Sequence, residues 1–165
     1  MKQPDNFGFG EEAALLKSSA RKLLEEHCPA DQLHALVAGD PRPERLPECA
    51  WNKALWQQMV DLGWSALTVP EAHGGVGMPL VGVAGLAEEV GRAACPSPLV
   101  PTLGASLVLA ALGEGARGPL EEIVGGCSAT LACVGSTGQW ERPGDGVTYR
   151  DGALDGTASF VQDAR

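Results

Sequence analysis

Three stretches of the chain before Leu112 repeat apolar side chains at alternating spacings of three and four, the period of one helical face. The first is Ala13, Leu16, Ala20, Leu23 and His27, which predicts a helix from Glu11 to about His27. Glu11 and Glu12 suit its positive dipole end, and Pro29 stops it. The second is Trp51, Leu55, Met59 and Leu62, widened by Trp56 and Val60, in a helix from about Cys49 to Leu62. Gly63 is the natural residue after its last turn, because glycine takes the left-handed conformation cheaply. The third starts at Pro79 and carries Leu80, Val83, Ala87, Val90 and Ala94, with Glu88 and Arg92 as an i, i+4 pair on another face. Between these helices, "AGDPRPERLPE" reads as an exposed loop and "SALTVP" as an extended segment. A fourth, very apolar helix is expected from Pro101 to about Leu112, buried on most sides. A short fifth is expected from Pro119 to Val124.

The pattern changes near residue 125. Strand-like runs follow at Ala129–Val134, Gly146–Arg150 and Ala158–Gln162. The Asp-Gly signals in "RDGALDG" predict that the last two form a hairpin. Three short strands make a poor sheet by themselves. The chain of 165 residues is therefore read as mainly α, with a helical domain at 1–125 and an incomplete antiparallel β region at 126–165.

A formal net charge of -9 and a pI of about 4.7 exclude duplex nucleic acid or an anionic membrane as the main partner, since both need a basic face. No apolar run approaches the roughly 18 residues of a membrane span, and "MKQPDNFGFGEE" has no apolar signal core. Cys28, Cys49, Cys95, Cys127 and Cys133 form no C-x-x-C pair, and His27, His34 and His73 are scattered, so no metal site is expected. Reduced thiols in a cytoplasmic protein follow, with Cys133 buried in its apolar run.

Several motifs carry possible chemistry. "GEGARG", at Gly113, Gly115 and Gly118, has the glycine spacing of a dinucleotide loop but follows a helix rather than a strand, so it reads as an interhelical turn. "HGGVGMP" could set a phosphate at the start of the Pro79 helix. No Lys or Arg lies between Lys53 and Arg92, which favours a structural elbow. Glu71 and His73 could act as an acid/base pair or be a loop glutamate and a capping histidine. Adjacent Glu88 and Glu89 diverge by about 100° on a helix and do not make a paired-carboxylate site. Ser97, Thr102 and Ser106 could line a pocket or cap helices. No catalytic residue emerges from local spacing.

"LWQQMVDLGWSALTVPEAHGGVGMP" followed by "LAEEVGRAACPSPLVPT" closely resembles the N-terminal domain of acyl-CoA dehydrogenases. The resemblance rests on Leu62-Gly63, Val69-Pro70-Glu71, the glycines 74, 75 and 77, and Glu88-Glu89-Val90-Gly91-Arg92. It implies the helical N-terminal domain of that family followed by the opening of its middle β-domain. It also implies FAD as cofactor, an acyl-CoA thioester as substrate, and an oligomer. In the family a carboxylate removes the α-proton while the flavin accepts the β-hydride. "DGALDGTASFVQDA" resembles a flavin-contacting stretch of the middle domain, so Phe160, Val161 and Gln162 are the implied cofactor-binding residues. Leu99, Val100, Pro101, Thr102 and Leu103 are the implied acyl-binding residues. The family's catalytic glutamate has no counterpart here, and Val134-Gly135-Ser136 stands in place of its T-E-P segment.

The leading expectation is a truncated, FAD-dependent acyl-CoA dehydrogenase-like oxidoreductase, not competent alone. Two alternatives are a non-catalytic subunit of a heteromeric dehydrogenase and a helical interaction module.

Overall fold

A computed structural model describes residues 10–31, 33, 51–139 and 146–163. The expected loop 38–48, His34 and Cys49 lie outside them. Helix α1 spans Glu11–His27, α2 Lys53–Asp61, α3 Leu80–Arg92, α4 Leu99–Ala111 and α5 Arg117–Val124. The short strands are β1 (Val134–Gly135), β2 (Val147–Arg150), β3 (Ala153–Gly156) and β4 (Ala158–Ser159). The chain is mainly helical, as its apolar period requires.

Helix α2 begins later than its apolar stripe suggests. The Asn52 side chain accepts hydrogen bonds from the Ala54 and Leu55 amides at 2.9 and 3.2 Å, so Asn52 is the N-cap. Trp51, just before the cap, meets Trp56 edge-on with ring centroids 6.2 Å apart, a hydrophobic staple that fixes how the chain enters the helix. Replacing Asn52 with alanine is expected to lower stability by about 1 kcal/mol, read as a reduced urea midpoint with unchanged slope. At the other end Gly63 takes φ 75°, the expected left-handed stop.

The "SALTVP" segment is not extended. Residues Trp64–Ala66 form a 3-10 turn, with the Ala66 amide bonded to the Gly63 carbonyl and the Leu67 amide to that of Trp64. The run satisfies its backbone partly within this turn and partly by accepting the Val76, Gly77 and Met78 amides at the Ala66, Val69 and Leu67 carbonyls. Ser65, Leu67, Thr68 and Val69 are consequently buried against α4 and α5.

Helices α1 and α3 run parallel. Ala13 lies against Gly82, Lys17 against Gly85, and ion pairs join Lys17 to Glu88, Arg21 to Glu89 and Glu25 to Arg92. Both residue numbers rise together along this ladder. In place of the expected Glu88–Arg92 pair, Glu88 meets Lys17 of α1, and Arg92 meets Glu25 of α1 and Glu89 of its own helix. Two apolar clusters fill the interior, one around Leu24, Met59, Leu86 and Leu99, the other around Val69, Leu120 and Ile123.

Helix α4 starts two residues before Pro101, which sits in its first turn, where a missing N–H leaves no bond unmade. It is not buried all round. Leu99, Thr102, Leu103, Ala105 and Ser106 face the core, while Val100, Leu107, Val108 and Leu112 are exposed.

The expected hairpin is wrong in its partners. β2 pairs with β3 across the turn at Asp151 and Gly152, with Val147 opposite Gly156. β4 instead pairs antiparallel with β1, placing Val134 opposite Ser159. The Ala129–Val134 run is strand only at its end.

Candidate functional site

The glycine elbow holds no free donors for a phosphate. The Gly74 amide donates to the Glu71 carbonyl, Gly75 to Pro70, Val76 to Ala66, Gly77 to Val69 and Met78 to Leu67, at 2.7–3.2 Å. Five successive N–H groups are consumed by the turn itself, so the segment is an elbow. Residues Gly113–Ala116 form a 3-10 turn between α4 and α5, the interhelical role expected of that motif. Buried His73 and exposed Glu71 form no hydrogen-bonded pair among the described residues, and the His73 Nδ1 has no partner there.

A cleft of about 660 Å³ lies between the first half of α4 and the chain that follows α5. Helix α4 contributes Val100, Pro101 and Gly104 to one wall. The segment after α5 contributes Thr130, Leu131, Cys133 and Val134, and the far wall carries Gly138, Phe160 and Gln162.

Local bonds explain why these elements meet. Thr102 Oγ1, on the buried face of α4, donates to the Pro98 carbonyl at 2.7 Å and accepts the Ala129 amide at 3.0 Å. That bond pins the segment leading to Val134. The β1–β4 pairing then delivers Phe160 one residue beyond Ser159. Phe160 adopts φ 54°, an uncommon left-handed conformation for a bulky residue. Its ring edge lies over Gly138, 3.4 Å from where a Cβ would stand, and the side chain is 87% exposed.

Of the implied site residues, Val100, Pro101, Phe160 and Gln162 converge on the cleft. Leu99, Thr102 and Leu103 lie in the core beneath it, and half-buried Val161 is outside its lining. Cys133, expected in the interior, is exposed in the cleft because the run around it is loop rather than paired strand. Gly104 was legible in principle, one helical turn beyond Val100 on the same face. Ser106 and Thr68 bond to each other inside the protein and are structural.

Among the described residues the lining carries no carboxylate, imidazole, lysine or arginine. Such a surface holds an uncharged, largely apolar group and orients it with a few neutral hydrogen-bonding side chains. Its described residues offer no strong proton acceptor.

The charged cluster lies elsewhere, between α1 and α3. Glu89 is fully buried, with Oε1 2.6 Å from Arg21 Nη2 and Oε2 2.7 Å from Arg92 Nε. Hydrogen bonds from Arg21 and then Arg92 hold its carboxyl down at about 2, against the opposing effect of burial. Arg21 is raised in turn by its bond to Glu89. Among the described residues no group of three or more His, Cys, Asp or Glu could hold a metal ion. No described helix is long and apolar enough to cross a membrane.

Residues 10–116 match the family model of the acyl-CoA dehydrogenase N-terminal domain. The chain belongs to the acyl-CoA dehydrogenase family. It is 32% identical over 119 residues to acyl-CoA dehydrogenase IpdE2 of Mycolicibacterium smegmatis, covering 72% of this chain and 35% of that protein. The IpdE2 of Mycobacterium tuberculosis is 31% identical over 117 residues, covering 70% of this chain and 34% of its own length. The chain thus spans about a third of the length of these curated relatives. The solved structure of a Tcur3481-Tcur3483 steroid ACAD variant superposes with a TM-score of 0.77 at 29% identity, over 94% of this chain and 42% of that one.

Proposed function

We propose that this chain forms the acyl-binding wall of an FAD-dependent acyl-CoA dehydrogenase that introduces an α,β double bond into a ring-bearing acyl-CoA thioester. The carrying observation is the cleft, uncharged among the described residues, in which Val100 and Pro101 of α4 share a cavity with Phe160 and Gln162. Family membership supports the thioester class, and the likeness to a steroid ACAD supports a ring-bearing acyl group.

The residues at the β end of the cleft fit the ring system of a flavin. An exposed aromatic face and a neutral amide side chain suit a flat heteroaromatic group with hydrogen-bonding edges. When bound, FAD supplies the acceptor for the β-hydride. Phe160 would pack against the ring and Gln162 would meet its polar edge. Val100, Pro101 and Leu131 would hold the acyl group and keep water from it. None of the described lining side chains is basic enough to take the α-proton, so the proton acceptor is assigned to another segment or subunit. This chain's part in the reaction is to bind and orient.

A second reading has its own support: this chain is the flavin-poor partner in a heteromeric dehydrogenase. Val134-Gly135-Ser136 replaces the family's T-E-P segment, and the similar steroid ACAD carries a name that joins two designations. The exposed apolar residues Leu107 and Val108 on α4 and Leu112 just after it suit oligomer contacts under either reading. Copurification with a second, flavin-binding chain is the result that favours this reading over a flavin-bearing homomer.

Thiol protection tests the acyl site directly. Cys133 lines the cleft, Cys127 is exposed outside its lining, and Cys95 is buried, its thiol pushed up to about 12 by burial and then by neighbouring Cys28. In the whole protein N-ethylmaleimide should label Cys127 and Cys133 quickly and Cys95 last. A saturating acyl-CoA should slow labelling of Cys133 severalfold and leave Cys127 unchanged, as read by peptide mass spectrometry. Unprotected Cys133 would remove the cleft from acyl binding.

A further inference from the structure

We infer that Gly104 is the specificity-determining residue of the cleft: its missing side chain forms the notch that admits a wide, ring-bearing acyl group. This inference rests on the acyl-binding reading above.

Glycine within a helix is a poor choice unless something requires it. Two structural reasons are common, and neither holds at Gly104. Its φ is not in the left-handed region, so another residue would adopt the same backbone. A Cβ built on it meets nothing within 4 Å among the described residues, so none of the described elements needs the close approach. Helix α3 shows what that second reason looks like: a Cβ on Gly82 would lie 2.9 Å from Met78, and one on Gly85 3.5 Å from Lys17. Gly91 and Gly118 also face open space, but they are exposed and outside the cleft lining. Gly104 is half-buried, and the space before it is the cleft.

The neighbours give that space its shape. Val100 and Pro101, one turn earlier, fill their part of the same wall with branched or cyclic side chains. Gly104 leaves a recess one turn further along α4. A narrow straight chain gains little from the recess, whereas a fused ring system needs the width. A side chain at this position would occupy the cleft and displace nothing else, so its effect should scale with its size and with the width of the ligand.

The test uses the whole protein and two probes, the CoA thioester of a four-ring steroid carboxylic acid and butyryl-CoA. Binding is measured by titration calorimetry for the unsubstituted protein and for Gly104→Ala, Gly104→Val and Gly104→Phe, with folding checked by thermal melts. The steroid thioester should weaken progressively, by about tenfold or more in Gly104→Phe. Butyryl-CoA should stay within about twofold across the series. Gly104→Ala should melt no lower than the parent, since alanine favours a helix, and it keeps the series readable if the phenylalanine variant fails to fold. Equal weakening of both probes, or no weakening of the steroid thioester, overturns the inference while acyl binding stands. If the unsubstituted protein binds neither probe, the acyl-binding reading falls and this inference with it.

Discussion

Substituting Glu89 with glutamine should destabilise the protein by about 2 kcal/mol near neutral pH. Glu89 is wholly buried between α1 and α3 and accepts three charge-assisted hydrogen bonds, two from Arg21 and one from Arg92. An amide of the same size offers one oxygen to those donors and turns an NH₂ toward the rest. A fully desolvated pair loses about 3–5 kcal/mol when one partner is removed. The lower figure follows from the arginines, whose side chains keep 50% and 42% of their exposure and can turn to water when the carboxylate is gone. The surface pairs beside the cluster, Lys17 with Glu88 and Arg92 with Glu25, should each contribute well under 1 kcal/mol.

The same cluster fixes a pH dependence. The folded-state pKa of Glu89 is about 2, against an ordinary 4.5. A carboxyl with a depressed folded pKa stabilises fully above its unfolded value and loses that contribution as the pH falls through the folded one. The stability difference between the parent and Glu89→Gln should therefore be constant above about pH 5, shrink between about pH 5 and 2, and vanish below it. Urea titrations of both proteins at several pH values measure it. A difference that does not change with pH would mean that Glu89 is not held ionised by the arginines.

That cluster also marks where sequence reasoning stops. The helical period exposes the core stripes of α1 and α3, because a buried face must repeat every three or four residues whatever it packs on. It exposes Gly63 as a helix stop for the same local reason. A buried glutamate leaves no such trace: Arg21 lies 68 residues away, and only the folded α1–α3 ladder brings it to Glu89. The hairpin misassignment has a local cause. Within "RDGALDG" Asp-Gly occurs twice, at Asp151-Gly152 and Asp155-Gly156, and only the first forms the turn, while Gly156 ends the strand at φ 142°. Asn52 was a legible cap obscured by an apolar stripe that starts before it. In the cleft, resemblance to the family pointed to Val100, Pro101, Phe160 and Gln162. It also pointed to Leu99, Thr102 and Leu103, which share the segment but face the core. Contiguous residues on a helix cannot all face one ligand, and a stretch of five covers more than one turn.

The glycine elbow should be still less tolerant than the buried glutamate. Gly75→Ala should cost more than about 3 kcal/mol and leave the protein largely unfolded or insoluble. A Cβ at this position would overlap the Val69 carbonyl oxygen and stand 2.5 Å from the carbonyl carbon. Neither side can yield. Val69 is fully buried in the second apolar cluster, and its carbonyl already accepts the Gly77 amide at 2.8 Å. The Gly75 amide is itself held by Pro70 at 3.2 Å. Moving either strand of the elbow would break these bonds inside the protein and turn α3 away from α1. Gly77→Ala is the matched control: its φ of 65° costs a non-glycine residue only about 1–2 kcal/mol, and a Cβ there meets Glu71 at 3.6 Å, an ordinary contact. Thermal melts of the two variants separate an elbow from a ligand loop. A phosphate cradle altered at Gly75 would keep its fold and lose its anion, whereas this segment has committed every amide from Gly74 to Met78 to the turn. It therefore loses the fold, and with it the placement of the helices that lead to the cleft.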